Sequence, residues 1–590
     1  MTMVNINING QKVSAPAGST ILQAAKQVGI DIPTLCDHPA LIPVGACRIC
    51  VVEVKGQRTL ITACTFPISE GMEIQTESPQ VVNARKLVLD LLFSERNHFC
   101  PFCEASGDCE LQNLGYRYGL DHWAYPTFTK PFPIDATHKY LFMEHNRCVL
   151  CGRCERACGD IVANHTLGLR NRGSESMIHC DARLPWGDST CISCGTCYQV
   201  CPTGAISDKR TAYMGRNIQS EHVKSTCSQC SIGCGTEIKS RSGNVISIMS
   251  DWDAEVSAGR LCEYGRFEPL YDNRARITSP LLRQGSKLQP VSWDDALKVV
   301  ADKIGGASAK DIGVLTSSNS TNEALYLLSK LFCKELKTSN VGLLNAVAPK
   351  LADKTKGSLA DVANSDVILV AGCDPLKEQP VASFFVKRAV DRGARLIVAD
   401  DKNNGLAAFA SQITDINKAV EIAERAGNPV VLYGAGITEK AATALKKLQG
   451  KAAFVAIEPG VNTRAAAAFG LNNGFKSAAA KVLYALVGEQ KLEADMLKNV
   501  DKNAFVIAQA SFVSPLTERA DVVLPMAIWS ERAGSLTNTE GRVLKVNKAV
   551  EPKGEAKQDW EVLSLLASKL GKKLGASLDE VSSKATQELK

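Results

Sequence analysis

Cysteine is the residue type that carries the chemistry of this 590-residue sequence. Twenty of its 22 cysteines lie before residue 263, and only Cys333 and Cys373 follow. The first ten residues alternate polar and apolar side chains and lack the charged start and apolar stretch of a signal peptide. Because the cytosol keeps thiols reduced, we expect the cysteines to bind metal rather than to form disulfides.

The first group of cysteines has the spacing C-x10-C-x2-C-x13-C and comprises Cys36, Cys47, Cys50 and Cys64. A close pair with an outlying cysteine on each side suits a [2Fe–2S] cluster, whose iron atoms are held by thiolates. Gly45 would let backbone amides approach the inorganic sulfides. A structural zinc site is the alternative for this group.

The second group has the pattern H-x-C-x2-C-x5-C and comprises His98, Cys100, Cys103 and Cys109. Three cysteines leave a four-ligand site one donor short, and the adjacent His98 could supply it. The alternative is that this histidine is a bystander. We predict a [4Fe–4S] cluster with one histidine ligand. A neutral imidazole in place of a thiolate leaves the cluster less negative and should raise its reduction potential.

Two further groups repeat the spacing C-x2-C-x2-C-x3-C, and a proline follows the second of them. This duplication is the signature of bacterial ferredoxins with two clusters, in which the fourth cysteine of each group ligates the other cluster. We therefore predict two [4Fe–4S] clusters with exchanged fourth ligands. The first would be held by Cys148, Cys151, Cys154 and Cys201, and the second by Cys158, Cys191, Cys194 and Cys197.

The fifth group has the spacing C-x2-C-x3-C-x27-C and comprises Cys227, Cys230, Cys234 and Cys262. Zinc is an alternative here as well. Because the group directly follows four cluster motifs, we predict a further [4Fe–4S] cluster, which makes one [2Fe–2S] and four [4Fe–4S] clusters in total. Outside the groups, Cys333 lies on an apolar helical face and is predicted to be a core residue, and Cys180 has no assigned role.

The elements around the first group point to a small module at the N-terminus. Residues 3–14 alternate like a β-hairpin around Asn9-Gly10, and a short helix with an apolar face begins near residue 21. The cysteine loop follows, and then a strand over residues 49–54. This order resembles the plant-type [2Fe–2S] ferredoxin, or β-grasp, domain.

The spacing of apolar residues changes along the rest of the chain. Residues 80–120 have apolar side chains near helical spacing, interrupted by a cysteine loop. After about residue 290, short apolar strands alternate with helical stretches, from Ile312–Thr316 to Ala453–Ile457. Such alternation indicates a parallel sheet flanked by helices. The predicted fold class is therefore multidomain, with α+β cluster domains followed by an α/β domain.

The overall composition excludes several classes of protein. Hydrophobic residues make up 45% and charged residues 22%, which is ordinary for a globular protein and rules out a disordered, collagenous or coiled-coil chain. There is no apolar run near the ~18 residues that a membrane span needs, so we expect no direct membrane insertion. The net charge of +6 is mild and no basic block is present, so no nucleic-acid partner is expected.

The order of the five motifs resembles the large iron–sulfur subunit of NADH:quinone oxidoreductase, respiratory complex I (the G subunit in bacteria). NAD-linked formate dehydrogenases, multimeric hydrogenases and electron-bifurcating complexes share this N-terminal part. Later segments look like parts of a molybdopterin-oxidoreductase domain. These segments are Cys262–Arg266, Arg276–Leu281, Pro290–Asp294, Thr321–Glu323, Ala520–Pro525 and Asn538–Arg542.

The molybdopterin-like part departs from the catalytic members of that family. They carry a molybdenum-binding cysteine or selenocysteine shortly after the Asn-Glu helix, whereas Ser339–Asn345 contains none here. Gly372–Pro375 and Asp400–Lys402 also differ from the family's nucleotide-contacting segments, and Cys373 does not match the ligand position. The C-terminal cap domain is expected to be missing. The resemblance therefore implies a degenerate, truncated molybdopterin-oxidoreductase-like domain with a retained fold, no active site and no molybdopterin. Gly434-Ala-Gly436 is predicted to be a turn rather than a dinucleotide loop.

Together these motifs predict five domains. They are a plant-type [2Fe–2S] ferredoxin domain (1–78), a [4Fe–4S] domain with one histidine and three cysteine ligands (79–120), a two-cluster [4Fe–4S] ferredoxin domain (138–215), a [4Fe–4S] domain of the molybdopterin-oxidoreductase type (220–276) and the truncated α/β domain (277–590).

The resemblance implies an oxidoreductase subunit that transfers electrons and binds no substrate, so no catalytic residue is assigned. Its partners would be a flavin-containing, NADH-binding subunit and a small [2Fe–2S] subunit of the same complex. The acceptor would belong to the quinone module of an NADH dehydrogenase complex, or be a ferredoxin, an NADP-binding subunit or a hydrogenase in a soluble assembly that performs electron bifurcation. We expect a cytoplasmic protein, held at the inner face of the membrane only through partners.

Two alternatives belong to other functional classes. One is the catalytic subunit of an NAD-dependent formate dehydrogenase with an atypical molybdenum site. The other is a structural docking subunit, in which the fifth cluster and the α/β half merely brace a complex. Metal analysis distinguishes the first from an electron-transfer subunit, and replacement of Cys227 by serine tests the second.

Overall fold

A computed structural model of the chain describes residues 2–126, 131–344, 351, 357–458, 460–471, 480–492 and 500–589. Contacts between residues divide the chain into two units, Met1–Ser220 and Glu221–Lys590, and each unit is described by itself. Within the described ranges, no helix combines the length and the apolar character that crossing a membrane requires.

A five-stranded sheet and one helix form the start of the first unit. Its elements are β1 (Met3–Ile8), β2 (Gln11–Pro16), α1 (Ile21–Gln27), β3 (Val51–Val54), β4 (Ile61–Thr62) and β5 (Glu73–Gln75). The strands pair in the order β2-β1-β5-β3-β4. Asn9 and Gly10 connect β1 to β2 with φ angles of 53° and 87°, positive values that suit a two-residue hairpin turn. A capping box at Thr20 starts α1. The predicted hairpin, helix and strand are confirmed.

Two longer helices and two small sheets complete the first unit. Its further elements are α2 (Pro79–Glu95), α3 (Glu110–Arg117), β6 (Ile134–Asp135), β7 (Leu141–Glu144), α4 (Arg153–Arg156), β8 (Leu167–Arg170), β9 (Met177–Cys180), α5 (Thr196–Val200) and β10 (Ile206–Asp208). One sheet has the order β10-β7-β6, and β8 pairs with β9. The interrupted helical segment predicted at residues 80–120 is confirmed as α2 and α3.

The second unit begins with a three-stranded antiparallel sheet of order β11-β12-β13, followed by a short helix. These elements are β11 (Glu221–Thr226), β12 (Gly235–Arg241), β13 (Asn244–Ser250) and α6 (Glu263–Arg266). The last group of cysteines lies at the two ends of this small sheet, between β11 and β12 and directly before α6.

Strands and helices alternate through the rest of the second unit. They are β14 (Leu281–Gln284), β15 (Lys287–Pro290), α7 (Trp293–Gly305), β16 (Ile312–Thr316), α8 (Asn322–Leu328), β17 (Asn340–Leu343), α9 (Leu359–Ala363), β18 (Val367–Ala371), α10 (Pro375–Glu378), α11 (Pro380–Asp391), β19 (Arg395–Ala399), β20 (Gln412–Thr414), α12 (Ile416–Glu424), β21 (Pro429–Gly434), α13 (Glu439–Leu445), β22 (Ala453–Ile457), α14 (Thr463–Ala468), β23 (Val482–Gly488), β24 (Phe505–Ala510), α15 (Pro515–Arg519), β25 (Val522–Pro525), β26 (Gly534–Thr537), β27 (Val543–Val546), α16 (Asp559–Lys569) and α17 (Leu578–Leu589).

Most of these strands divide between two sheets, and β26 and β27 form a separate antiparallel pair, whereas the sequence pattern predicts a parallel sheet. The larger sheet has the order β15-β14-β25-β24-β23-β16-β17, in which β14 runs antiparallel to both of its neighbours, β15 and β25. The smaller sheet, β20-β19-β18-β21-β22, is entirely parallel. Every residue of β18 and β21 is buried, as expected for strands covered on both faces by helices. Alternation along the chain reveals strands and crossovers, but not that β23 returns to pair with β16.

One buried cation joins the first sheet to the helices that follow it. The guanidinium of Arg85 on α2 is completely buried and donates hydrogen bonds to the backbone carbonyls of Ile49 (3.1 Å) and Val51 (2.8 Å) and to the hydroxyl of Tyr118 (2.8 Å). It also pairs with Glu77 at 2.8 Å. The two carbonyls flank Cys50, so this arginine holds the strand on which a candidate ligand lies.

Replacing Arg85 by alanine should therefore open the start of β3. Removing one partner of a buried charged network leaves carbonyls without donors and typically costs about 3 kcal/mol or more. Hydrogen–deuterium exchange of the β3 amides measures the loss directly, because it reports local opening in a multidomain chain. Lys86→Ala, at an exposed position of the same helix, is the matched control. Equal protection in both variants would contradict this role of Arg85.

Candidate metal centres

The [2Fe–2S] candidate lies on the loops of the first sheet. Cys36 follows α1, Cys47 and Cys50 precede β3, and Cys64 follows β4. Their thiols hydrogen-bond one another, Cys36 with Cys47 and Cys64, and Cys50 with Cys64. Those bonds lower the pKa of the Cys36 thiol. Gly45 adopts a φ of 65°, which turns the loop between the first two cysteines. The structure thus brings all four predicted residues together.

His98 and its three cysteines line a cavity of about 330 Å³. Burial lowers the pKa of His98 to about 4, so its imidazole is neutral. The ring hydrogen-bonds to the backbone of Leu92, while Nε2 is buried and makes no hydrogen bond. The bond at the other nitrogen fixes the tautomer, as such bonds do for metal-binding histidines. A buried, bare Nε2 in a cavity lined by three thiols is the donor that a fourth ligand position requires.

The repeated motif forms two cavities with the exchanged arrangement of cysteines. One, of about 400 Å³, is lined by Cys148, Cys151, Cys154 and Cys201. The other, of about 360 Å³, is lined by Cys158, Cys191, Cys194 and Cys197. Each set contains three cysteines from one copy of the motif and the fourth cysteine of the other copy. The structure therefore places the eight residues in the two groups that the sequence predicts.

Both copies of the motif use the same backbone conformation. Leu150 and Gly152 have φ angles of 51° and 66°, and Ser193 and Gly195, at the matching positions, have 53° and 69°. Left-handed residues in such a loop turn successive backbone amides toward one side. In the first copy the amide of Leu150 donates to the sulfur of Cys148 at 3.4 Å. Two of these positions are not glycine, so the loops store some strain around the cavities.

The fifth group gathers in the second unit. Burial raises the pKa of Cys234 most, and the neighbouring thiols of Cys227, Cys230 and Cys262 raise it further, so the four thiols share one site. A backbone bond of 2.8 Å from the amide of Cys227 to the carbonyl of Cys234 closes the loop between them. A Cβ atom at Gly265 would lie 3.0 Å from the sulfur of Cys227, so this position next to the site must stay small.

The charge balance of these sites fits a cofactor that carries positive metal. Burial and the neighbouring thiols together raise the pKa of Cys148 to about 11 and of Cys191 to about 12, and those of Cys154 and Cys197 further. Four thiolates in one cavity thus need a positive partner, which iron supplies. Among the described residues, no group of three or more His, Cys, Asp or Glu side chains is arranged for a single metal ion. Three of the cavities are each lined by all four predicted donors of one site.

Some residues of the site carry no signal in the spacing of the cysteines. Arg147 lines the cavity of His98, and its side chain hydrogen-bonds to Cys103. Thr203 lines both this cavity and that of Cys148, and its hydroxyl donates to the carbonyl of Arg147 at 2.7 Å. A Cβ at Gly204 would lie 2.6 Å from the sulfur of Cys103. Their positions close to Cys148 and Cys201 in the sequence are the signal that could have found them.

The predicted molybdopterin-like part contains loops that pack against each other. The amide of Gly436 donates to the carbonyl of Gly372 at 3.0 Å, which joins the ends of β18 and β21. A Cβ at Gly372 would lie 2.3 Å from the backbone nitrogen of Ile437. The predicted turn at residues 434–436 is confirmed. Cys373 is buried, and Asn345, the last residue of the stretch that lacks a cysteine, lies outside the described residues.

The other two cysteines outside the groups are also placed. Cys333 packs against the core of the larger sheet, as predicted. Cys180 is buried at the end of β9, where burial and the neighbouring Cys191 raise its pKa to about 12. Neither residue lines one of the cysteine cavities described above.

Five family models match the chain and cover most of its length. In chain order they describe a 2Fe-2S iron-sulfur cluster binding domain (residues 1–79), the NADH-ubiquinone oxidoreductase-G iron-sulfur binding region (85–123), a 4Fe-4S binding domain (185–207), the molybdopterin oxidoreductase Fe4S4 domain (220–271) and molybdopterin oxidoreductase (276–438 and 407–569). These matches confirm the predicted fold class.

Curated relatives point in the same direction. The G 2 subunit of NADH-quinone oxidoreductase from Rhizobium meliloti is 31% identical over 423 residues, which are 70% of this chain and 49% of the relative. NADH-quinone oxidoreductase subunit 3 of Thermus thermophilus is 28% identical over 662 residues, 96% of this chain and 83% of the relative. The chain thus spans about half of the first relative and most of the second. A crystal structure of an NAD+-reducing [NiFe]-hydrogenase in the H2-reduced state is 34% identical over 36% of this chain and 90% of that chain, with a TM-score of 0.34.

The bare Nε2 of His98 leads to a test by substitution. His98→Cys would supply a thiolate in place of a neutral imidazole, so the cluster should still assemble but with a more negative reduction potential. Redox titration followed by electron paramagnetic resonance measures this potential in the loaded protein. His122→Cys, at an exposed histidine of the same unit, is the control and should change nothing. An unchanged potential in His98→Cys would show that the histidine is not a ligand.

The raised pKa values give a second test. Metal binding should release protons, so loading should be favoured at higher pH. A free thiol has a pKa of about 8.5, so thiols with higher pKa values are neutral at neutral pH and must lose protons when metal binds. Loading the metal-free chain with a mixture of ferrous and ferric iron and sulfide should therefore acidify a weak buffer and proceed further at about pH 8.5 than at about pH 6.5. Cys333→Ser, outside the groups, should release as many protons as the native chain. Loading that is independent of pH would contradict this account.

Proposed function

We propose that this chain, which belongs to the family of large iron–sulfur (G) subunits of NADH-quinone oxidoreductase, carries electrons through five protein-bound clusters. It is the electron-transfer subunit of an NADH-linked oxidoreductase complex, and no step at a substrate is assigned to its own residues. The family relationship supports the type of activity. The five groups of donors support the number of clusters, which is part of the proposal.

The observation that supports the proposal is that the groups of cluster-binding side chains lie next to one another. Thr203 lies in the wall between the cavities of His98 and Cys148. The thiol of Cys154 raises the pKa of Cys197, so the two sites of the repeated motif are also neighbours. Iron–sulfur clusters take up and release single electrons without the making or breaking of bonds at the protein. Neighbouring sites in one unit are the arrangement that passing an electron from site to site requires.

The protein's own residues would hold and tune these groups. The cysteine loops bury the sulfur atoms and exclude water, and their left-handed residues direct amides toward sulfur. Arg147 places a positive charge beside Cys103, which favours added negative charge at that site. The neutral imidazole of His98 acts in the same direction. We therefore propose that the site of His98 has a higher potential than a site with four thiolates.

The partners follow from the same family relationship. We propose a flavin-containing, NADH-binding subunit and a small [2Fe–2S] subunit as the electron donors of the complex. The acceptor is a quinone module, a ferredoxin, an NADP-binding subunit or a hydrogenase. The names of the relatives support a multisubunit complex. The cysteine groups, which are spaced for metal rather than for disulfides, support a cytoplasmic location. The five-domain division predicted from the sequence is kept as part of this proposal.

The α/β part of the second unit is proposed to be a scaffold without molybdopterin. The hydrogen bond from Gly436 to Gly372 joins the loops after β18 and β21, at the strand ends where open parallel sheets usually bind ligands. A domain that retains its fold can support a complex without a ligand site of its own. Loops that are joined at this point do not favour the alternative of a catalytic formate dehydrogenase, which would need a ligand site there.

Metal analysis of the anaerobically purified protein tests the proposal. One [2Fe–2S] and four [4Fe–4S] clusters contain about 18 iron atoms per chain, with matching acid-labile sulfide and neither molybdenum nor zinc. Cys373→Ser should retain the full iron content, because this cysteine lies outside the five groups. Stoichiometric molybdenum would overturn the scaffold role. Zinc in place of part of the iron would reduce the number of clusters, since the first and fifth groups could hold it.

A further inference from the structure

The side chain of Arg156 lies between two of the proposed cluster sites. Its Nη2 atom donates to the backbone carbonyl of Cys36 at 2.6 Å and to that of Cys151 at 3.3 Å. Cys36 belongs to the [2Fe–2S] group and Cys151 to the neighbouring [4Fe–4S] group. A single nitrogen therefore joins ligand residues that are 115 positions apart in the sequence.

Two more hydrogen bonds hold this guanidinium in place. Nη1 donates to the carbonyl of Ile42 at 2.7 Å, in the loop between the first two [2Fe–2S] cysteines, and Nε donates to the carbonyl of Gly152 at 3.2 Å. Arginine suits this position because its planar fork can reach several acceptors at once, whereas lysine carries the same charge on one nitrogen. The fork thus ties the [2Fe–2S] loop to the first copy of the repeated motif at four points.

The acceptors of Arg156 do not neutralise its positive charge. All four are backbone carbonyl oxygens, which have no formal charge to cancel that of the guanidinium. Arg153, one turn earlier on α4, makes a useful comparison. It also reaches the [2Fe–2S] loop, at the carbonyl of Asp37 (2.7 Å), but it forms a two-pronged ion pair with Glu110 at 2.6 and 2.8 Å. The charge of Arg153 is therefore balanced, and that of Arg156 is not balanced by the groups it bonds.

We propose that Arg156 is a positioning residue for electron transfer between the [2Fe–2S] site of Cys36 and the [4Fe–4S] site of Cys151. The inference rests on the proposed function, since it requires a cluster at each site. In the step concerned, one electron leaves one cluster and enters the other, so one is oxidised and the other reduced, and no bond or proton moves. Arg156 fixes the distance between the sites through its fork and favours the reduced form of both through its charge.

Two substitutions separate the fork from the charge. Arg156→Met removes both, and Arg156→Lys keeps the charge but not the fork. Arg58→Met is the control, because it removes a positive charge from an exposed loop of the same unit. Iron and acid-labile sulfide are measured first in each loaded protein. Redox titration followed by electron paramagnetic resonance then gives both potentials and the magnetic interaction between the clusters, and rapid photoreduction gives the rate of transfer between them.

The proposal makes different predictions for the two variants. In Arg156→Met, both potentials should become more negative, the magnetic interaction should weaken, and transfer should be slower than native, because the fork no longer fixes the distance between the sites. In Arg156→Lys, the potentials should stay near the native values while transfer remains slower than native. Arg58→Met should match the native protein in all three measurements.

Several results would overturn the role of Arg156. They are native potentials, interaction and rate in a fully loaded Arg156→Met protein, or an equal effect in Arg58→Met. If Arg156→Met does not retain its iron, Arg156→Lys decides, and a native rate and interaction in that variant would refute the proposal. The absence of both cluster signals in the native protein would instead refute the proposed function on which the inference rests.

Discussion

Four buried sulfur atoms around one cavity cannot all become negative unless a positive group lies between them. In the metal-free chain, burial and mutual repulsion keep the thiols of Cys154 and Cys197 protonated well beyond the usual range of pH. Iron supplies the missing positive charge, so binding of the clusters and ordering of these loops are linked. The rest of the first unit depends on this balance, because its short strands and helices offer few other reasons for the loops to hold one shape.

The chain meets this demand with loops rather than with long regular elements. Left-handed residues at matching positions of the repeated motif shape both loops in the same way, and arginines attach these loops to distant parts of the sequence. Arg85, Arg153 and Arg156 each donate to the backbone carbonyl of a cysteine or of a residue next to one. A permanently charged donor with several N–H groups can satisfy carbonyls that would otherwise be buried without partners. Charge and connectivity are thus supplied by the same side chains.

The second unit depends mainly on the burial of apolar strands. Its two larger sheets contain fully buried apolar strands such as β18 and β21, and burial of these strands stabilises the sheets. The loops at the ends of these strands are joined by a backbone hydrogen bond. Because packing and ligand binding depend on separate residues, a fold of this kind does not by itself specify a site.

The sequence by itself determined the chemistry and the local elements. The spacing of the cysteines, the turn at Asn9-Gly10, the strand–helix alternation after residue 290 and the exchange of Cys158 and Cys201 were all readable, because each depends on short-range pattern. Only the tertiary structure decided which distant segments meet. It divided the parallel strands between two sheets, left Nε2 of His98 bare, and placed Arg156 between Cys36 and Cys151. Local pattern fixes what a residue can do, but contacts between remote residues arise from packing of the whole chain, which no spacing encodes.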